Sequence, residues 1–201
     1  SIRRRQRQMC IRDSSYSFSY WFHLLHYKLM MQLPVKVIDN YLPKEEFKTL
    51  QNIFYGSYMD WHCLDCINEK NDGYFQFYHM LYDKNLPMSE AWRNILPLVN
   101  RIPNLLSLLR IKANLLTRTP QHDFHGYHLD ISTAQGLNNH KTAIYYMNTT
   151  NGYTQFEDGT KVEGIENRIV IFDGEKKHSS VSQTDEPYRV VINLNWLEST
   201  S

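Results

Sequence analysis

From Leu109 onward the chain alternates short apolar runs with polar turns, a rhythm that predicts a series of strands. The runs cover residues 111–117, 126–131, 142–148, 153–156, 161–162, 168–172, 179–182 and 188–197. Turn pairs at Asn151-Gly152, Asp158-Gly159 and Asp173-Gly174 separate several of them. Strands this short and this closely spaced pack as a sandwich or a jelly-roll barrel.

The preceding segment is mixed. Val35, Val37 and Asp39 alternate with Lys36 and Ile38 as a first strand, ended by Asn40. Pro43 then suits a first helical residue, with Glu45 and Glu46 in the positive first turn. Phe47, Leu50, Ile53 and Phe54 recur at helical spacing up to Gly56, so one apolar face of this helix is expected to lie on the sheet. Residues 74–82 read as an aromatic strand. A second helix is expected after Ser89, through Ala91, Trp92, Ile95, Leu96, Val99 and Ile102, kinked or broken at Pro97. The class is therefore mainly β, an α+β chain with supporting N-terminal helices.

Composition changes this picture only at the N-terminus. Arg3, Arg4, Arg5, Arg7 and Arg12 are offset only by Asp13, so the remainder holds 17 of 22 basic and 20 of 21 acidic residues. That mildly acidic body gives no reason to expect a nucleic-acid partner. Residues 5–14 resemble translated sequencing-adaptor sequence. The apolar stretch 18–31 contains His23, His26 and Lys28 and is too short to span a bilayer, so no membrane partner is expected. Residues 1–30 are thus expected to be a non-native or disordered leader, with translation starting at Met30 or Met31, and residues 31–201 a single domain. Three Cys residues cannot build a disulfide framework and suit a cytoplasmic protein. The Cys63-x-x-Cys66 spacing lacks the two further ligands that a zinc site needs.

The candidate chemistry lies at His128-Leu129-Asp130. On a strand, residues two apart share a face, so this imidazole and carboxylate would converge on one point. A second His from a distant strand would complete a two-His, one-carboxylate face with coordination positions left open, the geometry that suits non-haem Fe(II). His178 follows Phe172-Asp173-Gly174, and Arg189 comes eleven residues later.

That ordered set, with Thr142-Ala143-Ile144-Tyr145-Tyr146-Met147-Asn148 between its parts and Val37-Ile38-Asp39-Asn40-Tyr41-Leu42-Pro43 ahead of it, resembles Fe(II)- and 2-oxoglutarate-dependent dioxygenases of the prolyl 4-hydroxylase-like group. The resemblance covers residues 109–196. It implies a double-stranded β-helix of the jelly-roll or cupin-like kind, with Fe(II) held by His128, Asp130 and His178. Arg189 and Tyr146 would anchor the distal carboxylate of 2-oxoglutarate, a role that a planar, permanently charged guanidinium suits. O2 is the implied oxidant, and ascorbate is a further candidate cofactor. The implied activity is hydroxylation of a peptidyl proline, an amino acid or another small molecule, releasing succinate and CO2.

Parity extends the set, since Val191, Asn193 and Asn195 share the face of Arg189, and Ile144 and Thr142 that of Tyr146. Asn193 is the candidate for hydrogen bonding near the iron. Where many relatives carry a Tyr about ten residues before the H-x-D, this chain has Arg118, a candidate for the chelating end of 2-oxoglutarate. His122 and His125 are expected outside the ligand set and His140 in a solvated turn, while His62 and His79 have no evident partner. Two other readings stand beside this one: a non-catalytic metal-binding β-helix module, and a cupin-type metalloenzyme that does not use 2-oxoglutarate.

Overall fold

The computed structural model describes residues 34–57, 59–131 and 139–199, and these described residues form one compact unit. The expected leader and start site lie outside the described residues. Strand β1 (Lys36–Ile38) leads through Pro43 into helix α1 (Lys44–Tyr55), where Phe47, Leu50 and Phe54 form the buried face. Pro43 caps this helix rather than beginning it, so the start falls one residue later than the pattern suggests.

Strands β2 (His62–Leu64), β3 (Gln76–Asp83) and β4 (Leu86–Pro87) follow. The second helical segment is a 3-10 helix over Glu90–Ile95 and then α2 (Leu96–Val99). The expected break is there, but it precedes Pro97. The helix restarts so that Pro97 sits in the first turn, where a missing N–H costs no hydrogen bond.

The remaining strands are β5 (Leu105–Thr117), β6 (His140–Tyr146), β7 (Thr150–Phe156), β8 (Lys161–Gly164), β9 (Ile169–Asp173), β10 (His178–Val181) and β11 (Tyr188–Glu198). They build two antiparallel sheets. The larger runs β1-β9-β6-β11-β5-β3-β2, with β4 beside β3, and the smaller runs β10-β7-β8. This is a mainly β fold with a jelly-roll core.

Alternation along the central strands divides the interior. Ala143, Tyr145 and Met147, with Val190, Ile192, Leu194 and Trp196, join α1 and Ile95 in the main core on one side of the large sheet. Burying such side chains contributes roughly 1.5–3 kcal/mol each. On the opposite face Ile144, Tyr146 and Val191 meet Phe156 and Val162 of the small sheet in a second core. The space between the sheets also holds the polar residues of the site.

Two expectations need correction. Residues 126–131 do not form a strand; this stretch pairs with the small sheet through one isolated bridge, His128 with His178, as Phe124 just before it does with Val181. His140 is not in a solvated turn. It is 1% exposed, opens β6, and packs where Gly174 leaves room, since a Cβ there would collide with the imidazole ring.

Candidate metal centre and co-substrate pocket

His128 and His178 face each other through a reciprocal pair of backbone hydrogen bonds, His128 N–H to His178 O at 2.9 Å and His178 N–H to His128 O at 3.1 Å. The ring centroids are therefore 4.8 Å apart, although one residue lies outside any regular strand. Asp130, two residues on, brings its Oδ1 to 3.9 Å from the Nε2 of each His. One ligand atom from each of the three residues falls within a 4.8 Å span, and no other such His, Cys, Asp or Glu cluster occurs among the described residues.

The donor chemistry fits a divalent ion. Each His holds its Nδ1 against the carbonyl two residues earlier, Gly126 for His128 (3.3 Å) and Lys176 for His178 (3.5 Å). Nδ1 is then the protonated nitrogen, and Nε2 presents its lone pair to the centre. The Nε2 of His178 is buried and has no hydrogen-bond partner, an arrangement that a metal bond would satisfy. Burial lowers the His178 pKa to about 4 despite Asp130 beside it, so the imidazole is neutral at physiological pH. Burial also opposes ionisation of Asp130, but the neighbouring His178, Arg110 and His128 and the Asn195 amide together hold its pKa at about 2.

Asp130 is oriented by the large sheet. The Asn193 amide donates to both carboxylate oxygens (3.3 and 3.2 Å), and the Asn195 amide donates to Oδ2 (3.2 Å) and to Thr142 Oγ1 (3.0 Å). Arg110 Nη2 lies 3.5 Å from Oδ1. Register explains the convergence. Asn193 stands between Lys112 of β5 and Ile144 of β6, and Asn195 between Arg110 and Thr142, with all their inward side chains on one face.

Four residues before Asn193 on the same face, Arg189 is 2% exposed and forms the other end of the pocket. Its guanidinium lies 5.5 Å from the Tyr146 ring centroid, and Nη2 reaches Thr154 Oγ1 at 3.4 Å. Nε is buried and unpartnered, and the guanidinium makes no ion pair among the described residues. Burial lowers its proton affinity, yet a guanidinium stays charged. Burial raises the Tyr146 pKa in spite of Arg189, so the phenol is protonated, and its O–H donates to Thr154 Oγ1 at 2.7 Å. Thr154, which thus accepts from two sides, keeps its own O–H free to donate. His128, Asp130, His178, Thr154, Arg189 and Asn193 line one common cavity.

Of the residues expected at the site, Tyr146 is fully buried and bonds Thr154 without lining the cavity itself, and Arg118 does not reach the cavity. Arg118 is exposed just beyond β5, where its N–H is tied to Pro187 O at 3.0 Å. His122 is exposed and bonded to Ser182 O, whereas His125 is 4% exposed and held by Ser180 Oγ at 2.8 Å. Neither belongs to the ligand cluster. His79, which lacked an evident partner, is bonded by Asp60 O and Ser89 Oγ, while His62 is exposed beside Tyr78. Cys63 is exposed and Cys66 half-buried, both free thiols.

Thr154, Asn195, Arg110 and Lys112 carry parts of the site that sequence reasoning did not assign. Parity with Phe156 was the available signal for Thr154. For Asn195 it was parity with Arg189, while Arg110 and Lys112 need the β5–β11 register.

No protein-family model matches the chain, and no curated protein does. Solved structures do match in fold. HygX from Streptomyces hygroscopicus, determined with nickel, 2-oxoglutarate and hygromycin B bound, aligns with a TM-score of 0.58 over 87% of this chain and 86% of its own, at 9% identity. A prolyl hydroxylase from Trichoplax adhaerens, in complex with a hypoxia inducible factor peptide fragment, aligns at 0.55 over 82% and 83%, with 12% identity. A 2OG-Fe(II) oxygenase family protein from Burkholderia pseudomallei aligns at 0.55 over 81% and 84%, with 11% identity. The chain has the double-stranded β-helix fold of 2-oxoglutarate- and Fe(II)-dependent oxygenases.

Proposed function

We propose that the chain is an Fe(II)- and 2-oxoglutarate-dependent dioxygenase that hydroxylates a C–H bond of a peptide or small-molecule substrate and releases succinate and CO2. The observation that carries this reading is one cavity joining two unsatisfied groups. The first is a neutral, buried His178 Nε2 in a His-Asp-His cluster; the second is a buried Arg189 with no carboxylate partner among the described residues. Neighbours of the same fold were solved with a peptide fragment in one case and hygromycin B in another, so the fold leaves both substrate classes open.

His128, Asp130 and His178 would hold Fe(II), which when bound supplies the redox centre that couples oxidative decarboxylation of 2-oxoglutarate to substrate oxidation. Asn193 and Asn195 fix the Asp130 carboxylate while it binds. Arg189 would receive the distal carboxylate of 2-oxoglutarate and Thr154 would donate its hydroxyl proton to it, with the Tyr146 phenol holding Thr154 in that orientation. Around them Leu116, Ile144 and Val191 supply apolar walls that exclude water.

Anaerobic titration with Fe(II) and 2-oxoglutarate tests the reading. A visible metal-to-ligand charge-transfer band is expected in the wild type and absent in His178→Ala. Metal uptake without that band would favour a metal-binding module or a metalloenzyme that does not use 2-oxoglutarate.

A further inference from the structure

We propose that Lys112 is the receptor for a carboxylate on the primary substrate, which places that substrate among small organic acids, amino acids included. The inference rests on the oxygenase reading and deepens it. Lys112 stands on β5 directly opposite Asn193, whose amide holds Asp130, and it lines the cavity with the His-Asp-His cluster. Its ammonium makes no ion pair and no hydrogen bond among the described residues. Its aromatic neighbour is the Tyr78 ring, with Nζ 6.0 Å from the centroid.

The nearby cations are already committed. Arg110 binds Asp130 at 3.5 Å and donates through Nε to Asn195 Oδ1 at 3.3 Å. Arg189 lies four residues along β11 from the row of Lys112, about 13 Å at a strand's rise per residue, and is taken by the distal carboxylate of 2-oxoglutarate on the reading above.

Charge balance points to the same residue. Lys112, Asp130 and Arg189 are the charged side chains that line the cavity. A divalent ion would add two positive charges and 2-oxoglutarate would remove two. One positive charge then remains, the one on Lys112, and Arg110 just behind the lining adds to the excess. Leaving a cation half-buried without a counter-charge is costly, and a substrate carboxylate would supply one. Burial, with Arg110 acting in the same direction, already lowers the proton affinity of this ammonium, a penalty that such an anion relieves.

The test uses full-length wild type, Lys112→Met and Lys112→Arg, each loaded with Ni(II) and 2-oxoglutarate. Thermal stabilisation is read for free amino acids and short aliphatic and aromatic acids, each beside its primary amide. At least one acid is expected to raise the Tm of wild type and Lys112→Arg where its amide does not. Its affinity should fall about tenfold or more in Lys112→Met. Calorimetric affinity for 2-oxoglutarate should be equal in all three proteins. A tenfold loss of 2-oxoglutarate in Lys112→Met would put Lys112 on the co-substrate's chelating carboxylate and overturn the substrate assignment. Acids and amides that act alike on wild type would overturn it too. A wild type that binds Ni(II) but no 2-oxoglutarate removes the oxygenase reading and this inference with it, and does so before any acid is added.

Discussion

The two walls of the cavity are built by different means. On the large sheet, Arg189, Val191, Asn193 and Asn195 project inward because β11 is a regular strand, paired without interruption to β5 over that span and to β6 from Val191. The facing wall includes His128 and Asp130, from a stretch, residues 118–131, that belongs to no regular strand. That stretch is held against β10 and the residue after it by point contacts, with the Asp123 N–H on Ser182 Oγ (2.8 Å), His125 on Ser180 Oγ (2.8 Å) and the paired backbones of His128 and His178. One wall is periodic and the other is docked. The metal ligands all lie on the facing wall, His128 and Asp130 on the docked stretch and His178 on β10, so the centre tests the docking while the co-substrate end tests the periodicity.

The largest expected effect falls on the docked side. Asp130→Ala removes the only anionic ligand and leaves the Asn193 and Asn195 amides without their acceptor. Metal affinity is expected to drop at least about 100-fold by calorimetry with Ni(II), while the fold, reported by circular dichroism, persists. Retained tight binding would show that the carboxylate is not a ligand. On the periodic side, Arg189→Met should keep the metal and lose 2-oxoglutarate by roughly 100-fold, since a carboxylate would then be buried against apolar atoms and one cation fewer. Equal loss of metal and 2-oxoglutarate in that variant would mean that the two walls are not energetically separate.

The docked wall also carries a pH signature. His125 is buried by Tyr74 and Ser180, and its pKa is lowered to about 4 by burial first and then by Arg189 and His128, with Asp123 and Asp72 acting the other way. The folded pKa lies below the unfolded value, so the unfolded chain binds the proton first. Stability is full above about pH 6.5 and falls as the pH drops toward 4. From pH 7 to pH 5 this one residue should cost about 2 kcal/mol. Urea unfolding at both pH values is expected to show that much less pH dependence in His125→Gln than in wild type. Identical pH dependence would mean that the segment opens readily enough for His125 to titrate as in water.

The same contrast explains what could be read from the sequence. Period-two alternation on β6 and β11 puts Tyr146, Arg189, Asn193 and Asn195 on one face, and the structure places them there. The H-x-D pair falls in the His-Asp-His cluster but not on the expected strand. Its convergence comes from the His128–His178 bridge, a contact 50 residues apart that no local pattern encodes. Arg118 fails for a related reason: beyond the end of β5 periodicity no longer applies, and the chain turns it to solvent. His140 looked like a loop residue because its burial depends on Gly174 of another turn. Arg110 and Lys112 were hidden in an apolar-looking run, since only register tells which side of β5 faces the metal.

The smallest effect concerns a hydroxyl, and it tests how completely the periodic wall is preorganised. Thr154 Oγ1 accepts the Tyr146 O–H at 2.7 Å and faces Arg189 Nη2 at 3.4 Å, so its lone pairs are engaged and its proton must point elsewhere. The open direction is the cavity, where a carboxylate on Arg189 would be the acceptor. Thr154→Val keeps the shape and removes that donor, and it leaves the Tyr146 phenol with only Val162 O, at 3.5 Å. The expected loss of 2-oxoglutarate affinity is about tenfold, read by calorimetry on the Ni(II) protein, with metal affinity unchanged. Thr154→Ser restores the hydroxyl and should bind nearly as wild type. If the valine variant binds 2-oxoglutarate as tightly as wild type, the hydroxyl serves only Tyr146, and the specificity of that end of the pocket rests on Arg189 alone.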